Sequence, residues 1–154
     1  MLASEPTCHL EPSQESGYAF VQRGIKGELI MLNLLHFREI ADYSAHPELM
    51  PEAPISGVEA FNRYILHTLP YLQKSGGDLL LLGSGGPFLI GPAHERWDLA
   101  MLVRQKSVHS FLGFARNKGY LAGHGHRTAA LADSRLLPLA ELRMPVWGEW
   151  RHHG

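Results

Sequence analysis

The stretch GHGHRTAALADSR, residues 123–135, puts two histidines and an arginine within four positions. Such a cluster can hold a metal, move a proton or grip an anion, and backbone geometry chooses among these. On a strand, residues i and i+2 share a face and His-x-His chelates well. On a helix two residues turn through about 200°, so His124 and His126 point apart. Tyr120, His124, Arg127 and Leu131 fall at i, i+4, i+7 and i+11, the spacing of one helical stripe. We therefore expect no metal site and no cofactor, with His126 on the opposite side in water. A metal reading revives only if Gly123 and Gly125 unwind the segment.

The stripe presents a phenol, an imidazole and a guanidinium on one face. Arg127 carries a permanent charge and suits a carboxylate or phenolate; the competing role is a structural pair with Asp133, Glu95 or Glu141. His124 titrates near neutrality and is the candidate catalytic residue, transferring a proton. Asn33, a lone amide in an apolar run, could orient a ligand or simply satisfy the backbone beside it. Tyr64 and Trp97 could wall a pocket or pack in the core or an interface. The candidate ligand-binding set is thus Asn33, Tyr64, Trp97, Tyr120 and Arg127. His67 and His109 read as helix-surface residues. GSGG, residues 83–86, is no phosphate loop, because no Lys-Ser/Thr follows it. Gly-x-Ser-x-Gly and His-Glu-x-x-His are both missing from the sequence. Cys8 has no fixed environment to activate it.

The elements that must position these residues follow from periodicity. ELIMLNLLHF, residues 28–37, is an apolar run of strand length with Leu29, Met31, Asn33 and Leu35 on one face. Ile30, Leu32, Leu34 and His36 form the other, so both faces need cover. Ser56 and Glu59 predict a capping box opening a helix, with Val58, Phe61, Ile65 and Leu72 as its stripe. Pro70 is expected to kink or end that helix, and Gly76-Gly77 to stop it. Residues 78–91 read as a strand interrupted by a bulge or sharp bend at the glycines, and 98–104 as another strand. Ser107 caps a helix with Val108, Phe111, Leu112 and Ala115 on its stripe. Residues 120–132 read as helical, and 134–142 as a last strand, at an edge because Pro138 cannot donate to a ladder.

The order is strand, helix, strand, strand, helix, strand: an α+β, ferredoxin-like βαββαβ fold, an antiparallel sheet with helices on one face. The domain spans 28–142, after an N-terminal arm (1–27) that is loose to residue 16 with a possible short helix beyond, and before a C-terminal tail (143–154). Helices cover one sheet face only, and a second copy is the economical cover for the other.

At 154 residues and 45% hydrophobic content this is one domain with a full core. Net charge is −1, which gives no electrostatic case for nucleic acid. Residues 1–56 hold three Lys/Arg against eight Asp/Glu; the remaining eleven of fourteen cations and seven of fifteen anions lie after them, spread singly. No apolar run approaches the roughly 20 residues of a membrane span. The N-terminus lacks a basic and an apolar signal region, and one cysteine suits a reducing compartment, so a cytoplasmic protein is expected.

IMLNLLHF, FNRYILHTLPYLQKSGG, ERWDLAMLVRQKSVHSFLGF and GYLAGHGHRTAALADSRLLPL, over roughly 28–140, together resemble the domain-of-unknown-function family numbered thirteen-thirty, of the dimeric α/β-barrel superfamily. The matching positions are Tyr64, Gly76-Gly77, Arg96-Trp97, Tyr120 with Arg127 seven residues on, and Asp133-Ser134-Arg135. The arm, the GSGG interruption and the Trp-rich tail depart from the pattern. The resemblance implies a homodimer whose sheets face each other. Superfamily relatives include cofactor-free monooxygenases, isomerases, heme-degrading enzymes, aldoxime dehydratases and stress-response dimers. The expectation is a homodimer binding a small, partly apolar, anionic molecule. It carries cofactor-free oxygenase, isomerase or dehydratase chemistry or, alternatively, none.

Overall fold

The computed structural model describes residues 8–142. The central strand β1 runs Leu29–Phe37, and its burial alternates as its sequence does, with Leu29, Met31, Asn33 and Leu35 buried. Helix α2 (Gly57–Lys74) leads into β2 (Asp78–Pro87), which pairs with β3 (Arg96–Gln105). Then come α3 (Val108–Ala115), α4 (Lys118–Gly123), α5 (Gly125–Ala130) and β4 (Leu131–Ala140). All three ladders are antiparallel and the strand order is β2-β3-β1-β4. This is the ferredoxin-like arrangement, and β4 with Pro138 lies at an edge.

Register places the two faces. Asn33 opposes Met101 on β3 and Leu136 on β4, and Leu35 opposes Leu99 and Ser134. This face meets the helices: Leu35 and Met101 join Phe61, Tyr64, Tyr120 and Ala129 in one buried cluster. On the other face Leu32 opposes Leu102 and Leu137, and Leu102 opposes Leu81. Partners in a ladder share a face, so a row of four leucines crosses all four strands there. Leu81 and Leu137 are each 52% exposed.

Several local expectations are corrected. Ser56 Oγ accepts from Glu59 N at 3.0 Å, but the Glu59 carboxylate turns to Arg63, so half of the capping box forms. The buried stripe of α2 is Gly57, Ala60, Phe61, Tyr64, Thr68 and Leu72, and Val58 faces solvent. The small pair Gly57 and Ala60 sets that rotation: a Cβ on Gly57 would meet the Arg38 and Ala130 carbonyls at 2.1 and 2.7 Å. Pro70 stays inside the helix. It is exposed, so water can solvate the carbonyl that its missing N–H leaves free. Gly76, at φ +87°, ends α2 as expected.

The glycines of β2 do not bulge. The register shift falls between Leu79 and Leu81, while Gly83, Ser84 and Gly86 keep their partners on β3, and at Gly85 a Cβ would sit 2.2 Å from the Trp97 carbonyl. Residues 88–95 connect β2 to β3, with a turn closed by Glu95 N–H on the Pro92 carbonyl and with Leu89 and Ile90 in solvent. The helical reading of 120–132 resolves into two short helices meeting at His124, and β4 starts at Leu131, not at 134.

The arm is not loose from residue 8 onward. Ser13 caps α1 (Gln14–Gln22) reciprocally with Ser16. Arg23 Nη1 donates to the Pro138 carbonyl at 2.7 Å, and Phe20 packs edge-on to Phe111 at 5.8 Å. The C-terminal tail lies outside the described residues. Among these, no helix is long and apolar enough to cross a membrane.

Candidate functional site

Four sequence candidates meet where α2, α4 and α5 touch. Tyr64, from the buried stripe of α2, puts its hydroxyl 2.9 Å from that of Tyr120 on α4. The His124 ring packs edge-on to both, at 6.3 Å from Tyr64 and 5.7 Å from Tyr120. Phe61 lies against Tyr64 and Phe114 against Tyr120, which walls the phenol pair with apolar carbon. Gly123 permits the approach of α4 to α2, since a Cβ there would run into the His67 ring.

Burial dominates the electrostatics. It raises the pKa values of Tyr64 and Tyr120 above a free phenol's, so both hydroxyls stay protonated. Burial also lowers that of His124, and the Arg127 and His46 charges add to this while Glu11 opposes it. His124 is therefore neutral at pH 7 and can accept a proton. Its Nε2 lies 3.8 Å from a Glu11 oxygen.

Arg127 is half-buried. Its Nη1 donates to the Leu10 carbonyl at 2.8 Å and its Nη2 to Ser134 Oγ at 3.4 Å. Neither Asp133, Glu95 nor Glu141 pairs with it. Asp133 instead accepts from Arg135, the His9 N–H and the Ser134 N–H. Among the described residues no carboxylate lies within ion-pair distance of Arg127.

Asn33 and Trp97 stand elsewhere. Asn33 is buried and its Nδ2 donates to the Met31 carbonyl at 3.2 Å, within its own strand. Trp97 is 5% exposed, outside the helix-side cluster, with the Arg135 guanidinium 4.9 Å above its ring. Two open clefts lie apart from all of these. One, of about 460 Å³, is lined by Phe37, Ser56, Ser84 and Asp98; the other, of about 260 Å³, by Tyr71, His109 and Phe114. Neither is lined by Asn33, His124 or Arg127.

The histidines divide as the angular argument requires, but His126 is not in water. Its Nδ1 lies 2.7 Å from the Tyr43 hydroxyl, and burial with Arg63 and His67 lowers its pKa. His67 is half-buried and bonds the Gly119 carbonyl at 2.7 Å. Among the described residues no three His, Cys, Asp or Glu converge. Leu10 and Glu11 were not picked out by sequence reasoning, and Ser134 only as part of the Asp133-Ser134-Arg135 match. Ser134 lies opposite Leu35 in the ladder, which the strand period could have given; the arm contacts have no local signal. The pair His36–Asp98 was also missed: His36 Nδ1 lies 2.8 Å from Asp98, which further accepts from the Phe37 N–H and Arg96.

Comparison with known proteins finds no matching family model and no matching curated protein. Among solved structures, the RPA0582 protein of unknown function from Rhodopseudomonas palustris is 31% identical, with a TM-score of 0.75, over 89% of this chain and 99% of that one. The chain belongs to the family of that protein. The methylated form of the RPA0582 protein superposes with a TM-score of 0.77 over 91% of this chain and 99% of its own. More distantly, a dimeric protein of unknown function and ferredoxin-like fold from Bacteroides fragilis NCTC 9343 is 9% identical, with a TM-score of 0.46 over 74% and 96% of the two chains. Kinship with the RPA0582 protein thus establishes a family and a fold, and leaves the chemistry to the residues at the site.

Proposed function

We propose that this protein is a homodimer binding a small, partly apolar carboxylate or phenolate beside α4 and α5, with Arg127 as the anion anchor. One observation carries the reading. Arg127 is a half-buried cation whose partners are neutral oxygens, those of Leu10 and Ser134. A carboxylate brings an opposite charge and can take two parallel bonds from the guanidinium fork, which a single carbonyl cannot, so the site is poised for an anion. Tyr64 and Tyr120 supply a hydroxyl pair and an aromatic wall, and neutral His124 a proton acceptor. Any chemistry is the cofactor-free oxygenation, isomerisation or dehydration of an activated carbonyl or phenol. The likeness to family thirteen-thirty and a cytoplasmic setting belong to this same reading.

The dimer reading rests on the leucine row Leu81–Leu102–Leu32–Leu137. A flat apolar sheet face with every core helix on the other side is self-complementary about a two-fold axis. The second reading is a dimer that binds and does not catalyse. The Asn33 amide favours it, since its Nδ2 is engaged by the Met31 carbonyl of its own strand.

A thermal-shift screen of small acids on wild type and Arg127→Met tests the anchor. The variant keeps the stem and loses the charge, so acidic ligands should bind about 10–100-fold more weakly. Equal stabilisation of both proteins by anionic hits would remove Arg127 from the site.

A further inference from the structure

We propose that the arm at residues 9–11 is a built-in competitor for the Arg127 anchor, and that an acidic ligand must displace it to bind. The inference rests on the anchor reading above and adds a regulator to it.

The arm makes four contacts with the site. The His9 N–H donates to Asp133 Oδ1 at 2.7 Å, and the His9 carbonyl accepts from Ser134 Oγ at 2.5 Å. The Leu10 carbonyl takes the Arg127 Nη1 hydrogen at 2.8 Å. The Glu11 carboxylate reaches within 3.8 Å of His124 Nε2. Two carbonyls and a carboxylate thus stand on Ser134, Arg127 and His124, the donor positions an acidic ligand would use. The arm behaves as a covalently attached substitute for that ligand.

The substitution is a poor one. A guanidinium has five N–H donors in a planar fork. The arm and Ser134 use two of them, each on a neutral oxygen. A carboxylate can take two parallel bonds from the same fork. The exchange therefore favours a carboxylate at the anchor, against the loss of the His9 bonds and of Leu10 packing on the core cluster. An intramolecular competitor scales the apparent affinity by the fraction of time it leaves the site free. Releasing it should tighten binding with no new ligand contact.

The test uses the full chain and benzoate as the probe. In His9→Pro/Leu10→Gly the arm loses its N–H bond to Asp133 and its apolar grip, while Arg127, His124 and Ser134 are untouched. Calorimetry should give at least tenfold tighter benzoate binding than wild type, and Arg127→Met in the released background should weaken it about 10–100-fold. A nitroxide on Cys8, the sole cysteine and exposed, should become mobile as benzoate saturates the wild-type arm sequence. Equal, Arg127-dependent affinity in wild type and released variant, with an unmoved spectrum, would overturn the competitor and leave the anchor standing. Arg127-independent binding, or none even in the released variant, would overturn both.

Discussion

The Tyr64 and Tyr120 hydroxyls lie 2.9 Å apart in the protein interior and tie α2 to α4. One donates and the other accepts, and both are shut away from the water that would solvate a phenolate. Burial raises both pKa values. A raised folded value contributes stability that is whole below the unfolded value of about 10 and is lost as pH rises through the folded one. Of the five tyrosines, Tyr64 and Tyr120 should ionise only as the fold opens. Alkaline phenolate absorbance followed beside circular dichroism checks this; five groups titrating in an intact fold would contradict it.

The same pair makes a double-mutant cycle informative. Tyr64→Phe leaves the Tyr120 hydroxyl buried without a partner, at a cost of about 1–3 kcal/mol. Adding Tyr120→Phe removes the orphan, so the double variant should be no less stable than the single one. Urea unfolding of the four proteins measures the coupling. Additive losses would mean that the two hydroxyls are independently satisfied.

Acid should weaken the fold in a window set by His124 and His126. Both have depressed pKa values, chiefly through burial. Their contribution is complete above the unfolded value of about 6.5 and is lost as pH falls through the lower folded values. Asp98 and Asp133, held low against burial by the N–H groups and cations around them, act only below about 4. The Tm should fall between neutral pH and pH of about 5, and His124→Gln should flatten part of that slope. An unchanged slope would place the effect elsewhere.

Gly57→Ala should be among the costliest small substitutions in the chain. Its Cβ would meet two backbone carbonyls, of Arg38 and Ala130, which cannot rotate away. Forcing α2 outward there costs on the order of 1–3 kcal/mol or more. Thermal unfolding should show it, and Gly113→Ala, where a Cβ meets nothing within 4 Å, is the control that should not.

The sheet interface predicts that Leu32→Arg, at the centre of the leucine row, sediments as a monomer at micromolar concentration while wild type sediments as a dimer. A monomeric wild type would end the dimer reading.

The architecture was legible because it rests on patterns of short range. The two-residue period of β1, the caps at Ser56 and Ser107, the stop at Gly76 and the edge proline at 138 each state their element within a few residues. Errors arose where a neighbour overrode the pattern. Val58 lost its place in the stripe because Gly57 and Ala60 let α2 press flat against the end of β1. His126 left the solvent because Tyr43, from the irregular segment 38–55, closes over it. The stripe Tyr120–His124–Arg127 was readable from helical spacing even though the helix breaks at His124. What occupies Arg127 was not readable, since Leu10 is 117 residues away and nothing local announces it.

That separation gives the arm a peculiar place in the order of synthesis. Residues 9–11 leave the ribosome before any strand of the sheet, yet the groups they bind, Arg127, Asp133 and Ser134, follow only after β1, β2 and β3. At about 5–20 residues per second, the 117 residues that separate Leu10 from Arg127 take roughly 6–25 seconds to make. Through that interval the arm has no docking place, and β1 can pair with β3 before β4 exists. An arm made ahead of the sheet thus docks only once the sheet's fourth strand has been made.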